Sequence, residues 1–433
     1  MKKAFISILG TNDYLECRHR FGDIVTDTPV KYCQQDIIKL FCEDFNEDSE
    51  IKIFLTEEAE KKNWLDNGHI DRNTKHPIPN KGLKSRLEEL NPTGKIKSIP
   101  IKEGYNENEI WEIFQTIYDS FREEEEVIVD ITHSFRSLPM LMITLLNFAK
   151  QIKKIKVNGI YYAAFESLGT INDVRNIPAQ ERVAPILDLT SFSELQDWTN
   201  ATFDFVNNAN TSKLKQLVKI SVNRSSITKP VEKFFPTRVI EKLDSLISSI
   251  ALCRGRELVN FNFQELKKDV ATLKNKDLPK AFIYLVDEIE KKISTFNNNP
   301  KLLTITLIHW CLTHNLYQQA ITLLQEFTIS RILLENQLEF ENEIHRILVA
   351  QAFRIHSQNI PQNEWKKPAS DNIEFIQKLL KCETLTILSS EYDSLTNLRN
   401  DVNHAGFLSS ARSFNSIKSR LIEIFDNYKK YLL

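Results

Sequence analysis

Val127-Ile128-Val129-Asp130-Ile131-Thr132-His133-Ser134-Phe135-Arg136-Ser137 begins as an unbroken apolar strand, ends as a polar cluster, and leads into helical spacing over 138–153. A short apolar run that turns directly into a helix reads as a buried strand of a parallel sheet. The same alternation extends on both sides. Strands are predicted over 4–9, 51–55, 97–101, 127–131 and 157–163, with helices over 31–45, 57–63, 108–123 and 138–153. Ile110, Ile113, Phe114 and Ile117 show the helical period most clearly. Residues 1–190 therefore read as α/β, a parallel sheet covered on both faces. Beyond about Leu189 strand spacing stops. Helical spacing runs over 238–252, 302–312, 317–334, 342–355, 373–381, 390–404 and 416–431, so 191–433 reads as all-α.

Composition narrows the function classes. Ten glycines in 433 residues is about 2% against a usual ~7%, which disfavours glycine-rich nucleotide loops and turn-dense β-sandwiches. A net charge of −2, from 56 Lys+Arg and 58 Asp+Glu, supplies no global basic field, so any polynucleotide contact must come from a local groove. Cys17, Cys33, Cys42, Cys253, Cys311 and Cys382 form no C-x-x-C pair, and the histidines form no H-x-x-x-H run. No metal is expected, and the cysteines read as reduced packing residues. The apolar start of the chain reads as a first strand rather than a signal peptide. The apolar, uncharged run 137–149 is too short to span a bilayer, so the expectation is a cytoplasmic protein without membrane contact.

Two strand-to-helix turns carry chemistry that a plain sheet does not need. Leu9-Gly10-Thr11-Asn12-Asp13-Tyr14 follows the first strand, and Asp130 to Ser137 follows the fourth. At such turns backbone N–H groups face outward and suit a phosphate. Thr132 and Ser134 add hydroxyl donors, Arg136 a charged fork, and His133 a donor or a stacking ring. The plainer reading makes Thr132 or Ser134 a helix cap and His133 a core histidine. A lone Gly10 makes no dinucleotide fingerprint, and no P-loop is present. Tyr161, Tyr162 and Glu166 end a third strand, where aromatics ordinarily pack in the core.

Near the C-terminus, Leu398-Arg399-Asn400-Asp401-Val402-Asn403-His404-Ala405-Gly406 contains R-x4-H. Residues five apart on a helix are about 140° apart, so the pair suits the flanks of a groove, notably one between two copies of the helix. Gly406 reads as the C′ residue, placing His404 in the last turn, where the dipole favours imidazolium. His404 can shuttle a proton to or from a ribose hydroxyl, Arg399 can neutralise a phosphate, and Asn400 can orient either. The plainer reading pairs Arg399 with a carboxylate and leaves His404 as a cap.

Together these stretches resemble a CRISPR-associated family. Asp130-Ile131-Thr132-His133-Ser134 is similar to the D-x-T-H-G signature of a branch of CARF-domain proteins, sensors of cyclic oligoadenylate in type III CRISPR immunity. Leu9 to Tyr14 is similar to the first ligand loop of that family. Tyr317-Gln318-Gln319-Ala320 resembles a segment of its helical half, and Arg399 to His404 resembles the R-x4–6-H motif of HEPN ribonucleases. Ser134 departs from the signature, standing where it has glycine, and bears on which ligand fits. The resemblance implies a Rossmann-like CARF domain followed by helices ending in a HEPN bundle. In a homodimer, Gly10, Thr11, Asn12, Tyr14, Thr132, His133, Ser134, Phe135 and Arg136 would line a pocket for one cyclic oligoadenylate. Tetra-adenylate is favoured and hexa-adenylate is the alternative; no other cofactor is implied. Binding would activate metal-independent cleavage of single-stranded RNA by Arg399, Asn400 and His404, with helices over about 190–300 relaying the change. Some CARF domains also degrade their activator slowly.

Two other readings use the same residues. One is a non-catalytic ligand-sensing regulator or scaffold with a HEPN-like dimerisation domain. The other is a nucleotide-binding metabolic protein with a helical oligomerisation domain.

Overall fold

β1 (Lys3–Leu9) is buried from Ala4 onward and forms the spine of the N-terminal sheet. The computed structural model describes residues 2–71, 74–133, 138–222, 236–275, 279–407 and 409–432. The chain divides into two compact units, Met1–Gln196 and Asp197–Leu433. In the first, the strands are β2 (Arg18–Phe21), β3 (Ile24–Val25), β4 (Glu50–Leu55), β5 (Lys95–Pro100), β6 (Glu126–Asp130), β7 (Lys156–Ala163) and β8 (Val183–Asp188). Their order is β3-β2-β8-β7-β6-β1-β4-β5, with β5, β4, β1, β6 and β7 all parallel.

The expectation of a wholly parallel sheet needs correction. β8 runs antiparallel to β7, β2 pairs parallel with β8, and β3 returns antiparallel on β2. A parallel return needs a crossover helix long enough to run back along the strand, but between β7 and β8 the longest helix is Ile171–Arg175, beside the single turn Phe165–Leu168. The β2–β3 hairpin turns at Gly22, whose φ of +58° suits a two-residue connection.

Alternation along β1 builds two cores. Phe5 and Leu9 face Ile51, Ile53 and Leu55 together with Cys33, Ile37 and Ile38 of the helix Cys33–Phe41. Ala4, Ile6 and Ile8 face Val127 and Val129 together with Ile113, Ile117, Met142 and Leu145 of the helices Glu107–Ser120 and Leu138–Ile152. Ser7 and Asp130 share the first face and are register partners across β1 and β6. After β1 the chain visits the far edge as β2 and β3, returns beside β1 to grow outward through β4 and β5, then restarts on the other side of β1 with β6. The switch point is thus at the carboxyl ends of β1 and β6, where open sheets of this kind leave a crevice.

The second unit is helical throughout its described residues. Tyr317–Glu335, Glu343–Ser357, Glu383–Asn403 and Phe414–Leu432 pack on one another. Phe353 stacks on Tyr392 with ring centroids 4.1 Å apart, and Gln325 Nε2 donates to Thr396 Oγ1 at 3.1 Å. Within the region expected to be all-α, helices whose spans the spacing did not mark include Thr190–Asn208, Phe263–Thr272 and Lys280–Ser294. In Thr190–Asn208, Trp198, Ala201 and Phe205 are buried at helical spacing within a run of Thr, Ser and Asn, whose weak propensity hides the period. No helix among the described residues is long and apolar enough to cross a membrane.

Candidate functional site

The floor of the sheet edge is a buried polar network around Asp130. Ser7 Oγ donates to Asp130 Oδ2 at 2.7 Å, and Gln34 Nε2 donates to Ser7 Oγ at 3.0 Å. The Thr132 backbone N–H (2.9 Å) and its hydroxyl (2.5 Å) both donate to Asp130 Oδ1. Burial raises the Asp130 carboxyl above its ordinary range, while the Thr132 and Ser7 hydrogen bonds pull it back. Thr132 Oγ1 also accepts from the Ala163 N–H at 2.9 Å. Its hydroxyl hydrogen is therefore committed to Asp130, which corrects the expectation of a donor free for phosphate. Thr132 instead ties the end of β6 to the end of β7.

The Gly10–Tyr14 loop lies directly beside this turn. Asn63, in the π-helical turn Glu60–Trp64, donates through Nδ2 to the carbonyls of Gly10 (2.8 Å) and Asn12 (2.9 Å). A Cβ built on Gly10 would stand 2.4 Å from Tyr14 Oη and 3.1 Å from the His133 carbonyl, so any side chain here would displace the Tyr14 phenol and crowd the His133 turn. Tyr14 stacks on His133 with centroids 4.0 Å apart. Thr11 is half-buried, Asn12 is exposed, and Asp13 pairs with Lys31 at 2.7 Å. Gly10, Thr11, Asn12, Tyr14, Thr132 and His133 are thus brought together. Ser134, Phe135 and Arg136 lie outside the described residues.

The electrostatics divide two histidines. Burial, reinforced by the charge on His19, pushes His133 down to about 3, so at neutral pH it is an uncharged imidazole. Its Nε2 lies 3.4 Å from Cys33 Sγ. Burial also works against a charge on His19, but the Asp36 hydrogen bond at 2.8 Å, with help from Cys17, lifts it to about 9. Of the third strand end, Tyr161 stacks on Phe41 at 3.8 Å within the core, whereas Tyr162 Oη donates to Glu166 Oε1 at 2.7 Å.

Sequence reasoning missed Asn63, Cys33 and Gln34. Gln34 and Asp36 carried a signal, being polar residues on the buried side of a helix next to Ile37 and Ile38. Asn63 carried none, because its side chain differs from any surface asparagine only in what stands opposite.

In the helical unit, Arg399 and Asn400 sit near the end of Glu383–Asn403, and His404 caps it. Leu395 and Leu398 bury the inner face, Arg399 is half-buried, and Asn400 and His404 are exposed. Ala405 (φ +52°) and then Gly406 (φ +73°) take the left-handed positions. Ala405 rather than Gly406 is therefore the C′ residue, and His404 stands one step beyond the last turn. Asp401 accepts from the Arg412 N–H at 2.9 Å and lies 3.4 Å from its guanidinium, holding the following loop on the helix. The side chains of Arg399, Asn400 and His404 make no hydrogen bond or ion pair with any described residue, so Arg399 is not the structural ion pair of the plainer reading. Tyr317 opens the helix Tyr317–Glu335 and meets Phe414 edge-on at 5.4 Å.

Residues 6–166 match the family described as "CRISPR system endoribonuclease Csx1, CARF domain". The chain is also similar to CRISPR-associated protein MJ1674 of Methanocaldococcus jannaschii, with 28% identity over 218 residues. That match takes in 48% of this chain and only 29% of the relative's length. The family match contains every described sheet-edge residue named above and ends before the helical unit. Residues 6–166 are thus similar to a CARF domain, and the chain shares a stretch with a CRISPR-associated protein.

Proposed function

We propose that the sheet edge binds a cyclic oligoadenylate and that binding switches on cleavage of single-stranded RNA by Arg399, Asn400 and His404. The observation that carries the reading is the convergence of the Gly10–Tyr14 loop and the Thr132–His133 turn at the switch point, inside the stretch similar to CARF domains. The description of that family names an endoribonuclease, and Arg399 to His404 resembles the R-x4–6-H motif of HEPN ribonucleases. Three side chains with no partner among the described residues suit a groove that receives phosphate and ribose.

In this reading His404 takes the proton of a ribose 2′-OH, and the oxygen attacks the adjacent phosphorus. The P–O5′ bond breaks, leaving a 2′,3′-cyclic phosphate and a 5′-hydroxyl that regains a proton. Arg399 stabilises the charge that builds on the phosphoryl oxygens, and Asn400 orients the reacting groups. Two copies of the chain supply two such helices to one groove and two sheet edges to one ligand, with tetra-adenylate as the preferred ring. The coupling is allosteric, because the ligand must bind the active state more tightly than the inactive one.

The test incubates labelled single-stranded RNA with the full chain, with and without cyclic tetra- or hexa-adenylate. Cleavage that requires the ligand, survives EDTA and vanishes in Arg399→Ala and His404→Ala supports the reading. Ligand binding without cleavage points instead to a regulator, and absence of binding to a metabolic nucleotide-binding protein.

A further inference from the structure

We infer that Cys33 is a positioning residue of the sheet-edge site: its thiol occupies Nε2 of His133 and fixes that ring as the tautomer carrying its hydrogen on Nδ1. The inference rests on the functional reading above only for its consequence in binding.

Cys33 is 4% exposed and opens the helix Cys33–Phe41, one residue before Gln34 of the Asp130 network. Besides the neighbouring Thr132 hydroxyl, its sulfur has three acceptors in reach: His133 Nε2 at 3.4 Å, Gln34 Oε1 at 3.7 Å and Asp130 Oδ2 at 3.9 Å. The imidazole nitrogen is the nearest of the three, and Asp130 Oδ2 already accepts a shorter bond from Ser7 at 2.7 Å. Burial and the neighbouring Asp130 raise the thiol well above its ordinary range, so it keeps its hydrogen to donate. In a neutral imidazole one nitrogen donates and the other accepts, and the bond made at one decides the state of the other. A thiol donating to Nε2 therefore leaves the hydrogen on Nδ1.

The two ring nitrogens point in divergent directions. A ring that aims Nε2 at the buried thiol aims Nδ1 away from it, and Nδ1 has no hydrogen-bond partner among the described residues. Stacking on Tyr14 at 4.0 Å fixes the ring plane as well. The site thereby holds an oriented, uncharged N–H donor, suited to a phosphate oxygen or a purine ring nitrogen. An uncharged donor reads such an acceptor by direction, without the longer reach of an imidazolium charge.

The experiment is histidine-selective 15N NMR of the full chain at pH 7, with the His133 signals assigned by comparison with His133→Gln. The wild type should show Nδ1–H. Cys33→Ala should move His133 toward Nε2–H or a mixture, and Cys33→Ser, which retains a donor, should restore Nδ1–H. In titrations with cyclic tetra-adenylate, Cys33→Ala should bind about tenfold more weakly and Cys33→Ser close to wild type. An Nε2–H wild type, or a tautomer indifferent to Cys33→Ala, overturns the assignment. Should the wild type bind no cyclic oligoadenylate, the functional reading falls, while the NMR result still decides the role of Cys33.

Discussion

Tyr14 lies on the imidazole of His133 with ring centroids 4.0 Å apart and planes 27° from parallel. The two residues come from turns that follow β1 and β6, and the sheet order alone makes them neighbours. A flat aromatic pair at a sheet edge, with an uncharged imidazole as one member, offers a ligand both a stacking surface and a directed hydrogen bond.

Gly10→Ala tests how closely the two turns must approach. The new methyl would stand 2.4 Å from Tyr14 Oη and 3.1 Å from the His133 carbonyl, so the tyrosine must leave its stacked position. The phenol is the far end of a side chain, so the expected loss of stability is small, about 1 kcal/mol. Binding of cyclic oligoadenylate, measured by calorimetry, should fall at least about tenfold. Unchanged affinity would separate the Tyr14–His133 pair from ligand recognition.

Asn63→Ala removes the two hydrogen bonds donated to the carbonyls of Gly10 and Asn12, together with the contacts of its Oδ1 with Tyr32 Oη at 3.3 Å and His69 Nε2 at 2.9 Å. The expected cost is about 1–3 kcal/mol in denaturant unfolding, with the loop freed at the same time. Asn63→Asp retains the size and loses the donor, so it should resemble the alanine variant. If the aspartate variant binds ligand like wild type, the loop is held by something other than Asn63.

The His19–Asp36 pair sets a pH limit on stability. The folded value of about 9 exceeds the ordinary ~6.5 of an unfolded histidine, so the folded state holds the proton more tightly. The contribution is complete below about pH 6.5 and is lost as pH rises through about 9, a change on the order of 3 kcal/mol. His133 acts with the opposite sign. Its folded value of about 3 means that stability is complete above about pH 6.5 and falls as pH drops toward 3. Guanidinium unfolding between pH 5 and 10 should show both limbs; His19→Asn should flatten the alkaline one and also shrink the acidic one, because the His19 charge helps hold His133 down. An alkaline limb that persists in His19→Asn would assign it to another group.

Neighbours on one helix should separate activity from stability. Arg399 and His404 have no side-chain partner among the described residues, so Arg399→Ala and His404→Ala should leave unfolding within about 0.5 kcal/mol of wild type. Asp401 is 8% exposed and bonded to Arg412, so Asp401→Ala should cost about 1–3 kcal/mol. Thermal unfolding run beside an RNA cleavage assay checks both. A large stability loss in Arg399→Ala would make that residue structural.

Much of the architecture was legible along the chain. The runs that became β1, β4, β6 and β7 are mostly apolar because a strand covered on both faces has little polar side to show. The turns after β1 and β6 stood out because they break from apolar to polar within one residue. The end of Glu383–Asn403 was legible to within a residue, since Ala405 and Gly406 can share the left-handed step. β8, β2 and β3 were not legible, being short and set at the far edge of the sheet, where alternation has too few residues to register.

By itself the sequence determined which segments bury which faces, because side-chain periodicity is local and reports the side of an element that meets the core. Only the tertiary structure decided that Ser7 stands beside Asp130, that Asn63 reaches the Gly10 loop, and that Cys33 lies against His133. Those contacts join residues 123, 53 and 100 positions apart, and their meeting depends on strand order and register. Pairing of that kind comes from packing the whole sheet between its helices, and no local pattern records it.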